Sequence, residues 1–279
     1  MSERIGFMQG RLSPLVDGRI QAFPWLHWQQ EFDSAQAHGF RLMEWTLDQE
    51  NLYDNPLLTA AGQDQIRQLC RRCALTIPSL TGDCFMQAPF WKTQGAGGEA
   101  RKRDFLAVAA ACAAVGIKLI VVPLVDNGAI ETREQEDELV HFLIGVAAFF
   151  SQHGLQVVFE SDAAPAELAR FIARLPPALF GINYDIGNSA ALGHAPAAEL
   201  AAYGHRVLNV HIKDRVRGGT TVPLGSGDAD FDAAFAGLAA SGYRGNFILQ
   251  TARAADGDHA GALCRYRAMS QEWVARHGA

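Results

Sequence analysis

The chain has 279 residues and a formal charge of −6, with 24 basic against 30 acidic side chains. That balance excludes a general nucleic-acid binder, which carries a basic stripe, and no run of residues reaches the unbroken apolar length of a membrane span. An apolar fraction of 49% supplies a sizeable core, and five cysteines at irregular spacing suit a reducing compartment better than a disulfide framework. The opening Met1-Ser2-Glu3-Arg4-Ile5-Gly6-Phe7-Met8 runs straight into a strand-like stretch with no basic, apolar leader, so a cytoplasmic protein is expected.

In chain order the hydrophobic pattern predicts a strand over Arg4–Gln9, a helix over Trp28–His38 and a strand over Leu42–Thr46. A helix over Thr59–Arg72, a strand over Leu75–Leu80 and a helix over Glu99–Val115 follow. Next come a strand over Leu119–Pro123, a helix over Glu134–His153 and a strand over Gln156–Glu160. The last third reads as a helix over Ala164–Leu175, strand Gly181–Asp185, helix Pro196–Tyr203 and strand Val207–Lys213. Helix Asp230–Ser241, strand Asn246–Thr251 and helix His259–Arg276 complete it, with Asp230 set as an N-cap. Several helices end on a glycine, as at Gly39, Gly116, Gly154 and Gly242, a residue that tolerates the left-handed C-cap.

Eight strand–helix alternations match a (β/α)8 TIM barrel, which typically needs about 250 residues. A doubly wound open sheet competes less well, because Gly10-Arg11-Leu12-Ser13-Pro14 after the first strand is not the glycine-rich turn of that fold. No linker or composition break divides the chain, so residues 1–279 are read as a single TIM-barrel domain. Residues 81–98 and 213–227 are the least structured stretches, and both follow strands, on the face where barrels keep their binding loops. Phe85, Phe90 and Trp91 make the first of these a candidate mobile cover over a sugar, or equally a subunit contact.

Three strands each end on a metal-ligand side chain: Val157-Val158-Phe159-Glu160, Gly181-Ile182-Asn183-Tyr184-Asp185 and Leu208-Asn209-Val210-His211. In a parallel barrel those tips share one face, so Glu160, Asp185 and His211 are expected to converge on one divalent cation. Each residue taken singly could be a helix cap or turn former; the ordered set favours a metal site.

The segments Phe159-Glu160-Ser161, Tyr184-Asp185-Ile186-Gly187-Asn188, Val210-His211-Ile212-Lys213-Asp214 and Pro223-Leu224-Gly225-Ser226-Gly227-Asp228 resemble the xylose isomerase-like TIM-barrel superfamily. Within it they are most similar to the sugar phosphate isomerase/epimerase branch, over essentially the whole chain. The resemblance implies a divalent metal ion (Mn, Mg, Co or Zn) on Glu160, Asp185 and His211. It implies a fourth ligand at the position of Gln250, where the family has glutamate. It further implies an isomerase or epimerase acting on a sugar or sugar phosphate through a metal-stabilised enediolate, with Glu160 as the proton-transfer base. Gln250 departs from the pattern: its amide oxygen can face a cation, but it cannot be a base at neutral pH. A one-base isomerisation, a related dehydratase or hydroxypyruvate isomerase, and a non-catalytic or degenerate sugar-binding barrel therefore stay open.

Glu44, Lys213, Arg217 and Asn188 are candidate substrate-binding residues, with an internal polar network as the competing role for Glu44 and a solvated surface for Lys213 and Arg217. The glycines at 225 and 227 are read as tight-turn formers beside Asp228 and Asp230 rather than as a phosphate cradle. Cys70-Arg71-Arg72-Cys73 ends a helix and has no second pair, so neither zinc nor redox work is assigned to it. The expected partner is a small sugar, with no nucleic acid and no membrane; a homo-oligomer is left open.

Overall fold

The computed structural model describes residues 4–279. Ten strands form among the described residues: β1 (Ile5–Met8), β2 (Met43–Thr46), β3 (Ser79–Thr81), β4 (Leu119–Leu124), β5 (Gln156–Ser161), β6 (Phe180–Asp185), β7 (Val207–Ile212), β8 (Asp214–Arg215), β9 (Thr221–Val222) and β10 (Asn246–Leu249). Eight of them close a parallel barrel in the order β1-β10-β7-β6-β5-β4-β3-β2, while β8 and β9 make a small antiparallel hairpin above it. The expected TIM barrel is therefore the fold.

Strand and helix divide the apolar residues by period. Alternate residues of the strands face outward onto the helices, where Phe105, Phe142, Phe150 and Phe180 meet in edge-on aromatic contacts. The inward positions carry an unusual share of polar groups: Gln9, Glu44, Ser79, Thr81, Asn183, Asn209 and His211 are all buried. A polar interior of this kind holds only if its members satisfy one another.

Several boundaries differ from expectation for local reasons. The third strand begins at Ser79, not Leu75, because Pro78 has no N–H for the ladder; Thr76 keeps only an isolated bridge to Leu42. The helix expected over 134–153 breaks into Arg133–Gly145 and Ala147–His153 at a glycine. A short helix, Ile186–Leu192, starts directly at the tip of β6, capped by the Asp185 carboxylate and stopped by Gly193 at φ +74°. Residues 81–98 are not an open cover. They fold into the helix Asp83–Gln87, a 3-10 turn at Phe90–Lys92 and the start of the helix Gly95–Val115. Phe85, Phe90 and Trp91 are buried beneath it, Phe85 and Phe90 against Phe105, and Trp91 donates to the Gly128 carbonyl at 3.1 Å.

Residues 213–227 are tied down by Asp214, whose carboxylate accepts the backbone N–H groups of Gly225, Gly227 and Ala229. A side chain at Gly227 would put its Cβ 2.2 Å from Asp214 Oδ1, so glycine is required there by close approach. Asp230 caps the helix Phe231–Ala240 through the N–H of Ala233, as expected.

Candidate active site

β5, β6 and β7 are neighbours, and their tips deliver Glu160, Asp185 and His211 to one point. A register shift between Ile182 and Asn183 aligns Asp185 directly with His211. Such a bulge re-aims side chains beside a site. Ligand atoms of the three residues all lie within 4.8 Å of one another, and all three are buried. Gly187 lets the following helix sit this close: a Cβ there would stand 2.8 Å from the Lys213 carbonyl oxygen.

His211 is held from both sides. Its Nε2 lies 2.7 Å from Glu44 Oε1, and its Nδ1 faces Glu160 Oε2 at 3.2 Å and Asp185 Oδ2 at 3.9 Å. Glu44 is held in turn by Ser79, Thr81 and Asn209, which donate to it at 2.6, 2.8 and 2.9 Å. Glu44 thus belongs to the internal network. A carboxylate behind a ligand imidazole sets its tautomer and leaves the other nitrogen for a cation.

Burial alone would depress the imidazole, but the charges of Glu44 and Glu160 overrule it and push His211 up to about 10. Burial also opposes ionisation of Glu44 and Glu160, yet the charge and hydrogen bonds of His211 hold both below the ordinary range, with Lys213 helping at Glu160. Asp185 goes the other way: its burial outweighs Lys213, and its carboxyl is raised.

Glu160 also receives two amides. Asn183 donates to Oε2 at 3.0 Å and Asn188 to Oε1 at 2.7 Å, while Arg215 donates to the Asn188 oxygen at 2.9 Å. Lys213 stands between the trio and Gln250. Its Nζ is 2.6 Å from Asp185 Oδ2 and donates to Gln250 Oε1 at 3.0 Å. Gln250 then donates to Gln21 at 2.7 Å, and Gln21 donates to Asp83 Oδ2 at 2.6 Å.

The donor set suits a small divalent cation: two carboxylates and an imidazole. Asp185 Oδ2 is fully buried, with the Lys213 ammonium 2.6 Å away as its counter-charge and His211 Nδ1 at 3.9 Å. Gln250 meets this trio through Lys213, whose ammonium donates to its Oε1.

A cavity of about 310 Å³ opens above the cluster, lined by Gln21, Asp83, Asp126, Glu160, Asp162, Asn188, Lys213, Arg215 and Gln250 among others. Of the residues singled out from the sequence, Glu160, Asn188, Lys213 and Gln250 line it. Arg217 does not: the hairpin turns it outward to a separate hollow of about 280 Å³ with Gly193 and Asp228. A groove of about 330 Å³ beside the helix Pro165–Ala173 contains none of the three candidate ligands. Burial raises Asp83 to about 7 and Asp162 to about 6, with the charge of Glu160 adding to each.

Sequence reasoning passed over Asn183, Asn209, Arg215, Asp83 and Gln21. The first three had a signal: positions 183 and 185, and 209, 211, 213 and 215, alternate, so they share a strand face. Asp83, at the start of the short helix Asp83–Gln87, and Gln21, on a loop, have no such period.

This chain belongs to the xylose isomerase-like TIM barrel family. The family's model matches residues 32–267. In sequence the chain is similar to the inosose dehydratase of Bacillus cereus (strain AH820), 26% identical over 155 residues, covering 47% of this chain and 52% of that protein. It thus spans about half the length of the sequence relatives it matches. In fold it is similar to a xylose isomerase domain protein from Planctomyces limnophilus, with a TM-score of 0.76 at 17% identity over 99% of this chain and 98% of that one. An L-ribulose 3-epimerase gives 0.75 at 15% over 98% and 95%, and a D-psicose 3-epimerase from Clostridium cellulolyticum H10 gives 0.74 at 11% over 98% and 99%. No helix among the described residues is long and apolar enough to cross a membrane.

Proposed function

We propose that the protein is a divalent-metal-dependent isomerase or epimerase that moves a proton beside the carbonyl of a sugar. The observation that carries this reading is the buried cluster of Glu160, Asp185 and His211 at the floor of a polar cavity. When bound, a divalent ion there polarises the carbonyl and hydroxyl oxygens of the substrate and offsets the charge of an enediolate. The protein does the rest. Glu160, ionised and held at both oxygens by Asn183 and Asn188, takes the proton. Glu44 keeps the His211 ring in place, and Arg215 orients Asn188.

The lining favours an uncharged sugar over a sugar phosphate. Asp83, Asp126, Glu160 and Asp162 face Lys213 and Arg215, and Lys213 is already engaged by Asp185 and Gln250. A phosphate dianion would meet more acids than free bases. We also propose a single domain over residues 1–279 and a cytoplasmic location, which five free cysteines suit.

Similarity to inosose dehydratase supports a second reading on the same machinery, in which the enediolate expels a neighbouring hydroxyl as water. Incubating ketoses and inososes with the protein and Mn²⁺ in deuterated water tests both. Deuterium entering at the carbon beside the carbonyl is the expected result. No exchange with any of them would leave a sugar-binding barrel.

A further inference from the structure

Two chains of hydrogen bonds end at carboxylates on the cavity. One runs Arg215 to Asn188 to Glu160, and the other runs Lys213 to Gln250 to Gln21 to Asp83. Their polarity follows from the cation at the start of each. An ammonium or guanidinium only donates, so the first amide must accept with its oxygen and donate with its nitrogen, and each later amide repeats this. Glutamate at position 250 could not pass the chain on, because a carboxylate has no N–H for Gln21. Glutamine at 250 is therefore a coupling element, and its far end is an acid.

From this geometry we infer that Asp83 is the second proton-transfer residue of the cavity, in place of the carboxylate that Gln250 cannot supply. This rests on the reading of the site as a sugar epimerase. Asp83 is 8% exposed and lines the same cavity as Glu160, from the start of the helix after β3 rather than from the wall of β5–β7. Among the described residues Gln21 is its one side-chain hydrogen-bond donor, so part of the carboxyl is uncommitted. Its burial favours the protonated form that a proton donor needs.

The step balances. Glu160 removes the proton from the carbon beside the carbonyl, and the C–H electron pair passes into the enediolate. Asp83, as the acid, gives its proton to the same carbon from the other wall, and the pair re-forms a C–H bond with inverted configuration. The sugar keeps its composition, Glu160 ends protonated and Asp83 ionised, and exchange with water restores both.

The test follows D-fructose, D-tagatose, D-psicose and L-ribulose by NMR in deuterated water with Mn²⁺, scoring deuterium exchange and inversion separately. Mn²⁺ affinity and unfolding midpoint are measured on the same samples. Asp83→Asn still accepts the Gln21 hydrogen bond, so affinity and midpoint should match the wild type. Exchange through Glu160 should persist, while inversion falls by about 10²-fold or more. Should Asp83→Asn fail to fold, Gln21→Met cuts the chain with Asp83 intact and should lower inversion without lowering exchange. Inversion at the wild-type rate in the folded variant overturns the assignment. So does wild-type exchange that never inverts any of the four sugars, which means a one-carboxylate enzyme. A wild type that exchanges nothing overturns the reading of the site and the role of Asp83 together.

Discussion

The two walls of the barrel mouth are built on opposite principles. On the wall of β5, β6 and β7 the chemistry sits on strand tips. Glu160, Asp185 and His211 are placed by register, and Asn183, which donates to Glu160, and Asn209, which donates to Asn183, come from β6 and β7 two residues before the tips. On the other wall Gln250 follows β10, Asp83 opens the short helix Asp83–Gln87 and Gln21 arrives on a loop. Strand-borne groups gain rigidity from the ladder beneath them. Groups held off the ladder must be positioned by each other, which is what the amide chain does. Charge follows the same division: the strand wall mixes acids with a protonated imidazole, while the other wall bridges a lysine and an acid with neutral amides.

The largest expected effect falls on the strand wall. Glu160→Gln should lower solvent exchange into the substrate by about 10²–10⁴-fold, the usual contribution of a positioned base. The isosteric amide should leave the unfolding midpoint near that of the wild type. Undiminished exchange would show that the base is elsewhere.

Next is the support below it. Glu44 and His211 are both fully buried, and Ser79, Thr81 and Asn209 donate to the same carboxylate. Glu44→Ala strands all of these, so denaturant unfolding of the metal-free protein should show a loss of about 3–5 kcal/mol. A loss below 1 kcal/mol, as for exposed pairs, would mean that water reaches the network. His211 also gives the metal-free protein a pH signature. Its folded value, about 10, lies above the unfolded one, so its stabilisation is fully present below the ordinary histidine value and is lost as pH rises through about 10. Stability should therefore fall across that range, and Glu44→Gln should flatten the fall.

A smaller effect concerns metal binding. A cation on His211 must displace a proton, so Mn²⁺ affinity should rise with pH by up to about tenfold per unit between neutrality and the folded value. Calorimetry in buffers of different ionisation enthalpy reads that proton directly. pH-independent affinity across this range would place the ion away from His211.

The smallest contrast lies within the hairpin. Arg215 lines the cavity and orients Asn188, whereas Arg217 points into the neighbouring hollow. Arg215→Ala should raise KM several-fold, and Arg217→Ala should leave KM and kcat within about twofold, as for a surface change. Equal effects of the two substitutions would mean that the hairpin moves when sugar binds.

Much of the first wall was legible before any coordinates. Apolar runs of strand length and their terminal carboxylate or imidazole are local facts, and a parallel barrel turns such tips to one face. The period of two would also have reached Asn183, Asn209 and Arg215, and its extension to Arg217 fails because β8 pairs with β9 and the chain turns between them. The aromatics at 85, 90 and 91 read equally well as a cover or as a subunit contact, and packing against Phe105 and Phe142 makes them core instead.

By itself, then, the order of residues determined the eight-fold alternation, the barrel and the three strand-tip ligand candidates, because each depends on periodicity and on which side chain ends a strand. Only the tertiary structure decided what Gln250 does. Its partners Lys213, Gln21 and, through Gln21, Asp83 come from three distant parts of the chain, and hydrogen-bond direction exists only once those groups are within reach. The values of His211 and Asp83 are likewise properties of the folded site, since both arise from burial and from charges brought close by barrel closure.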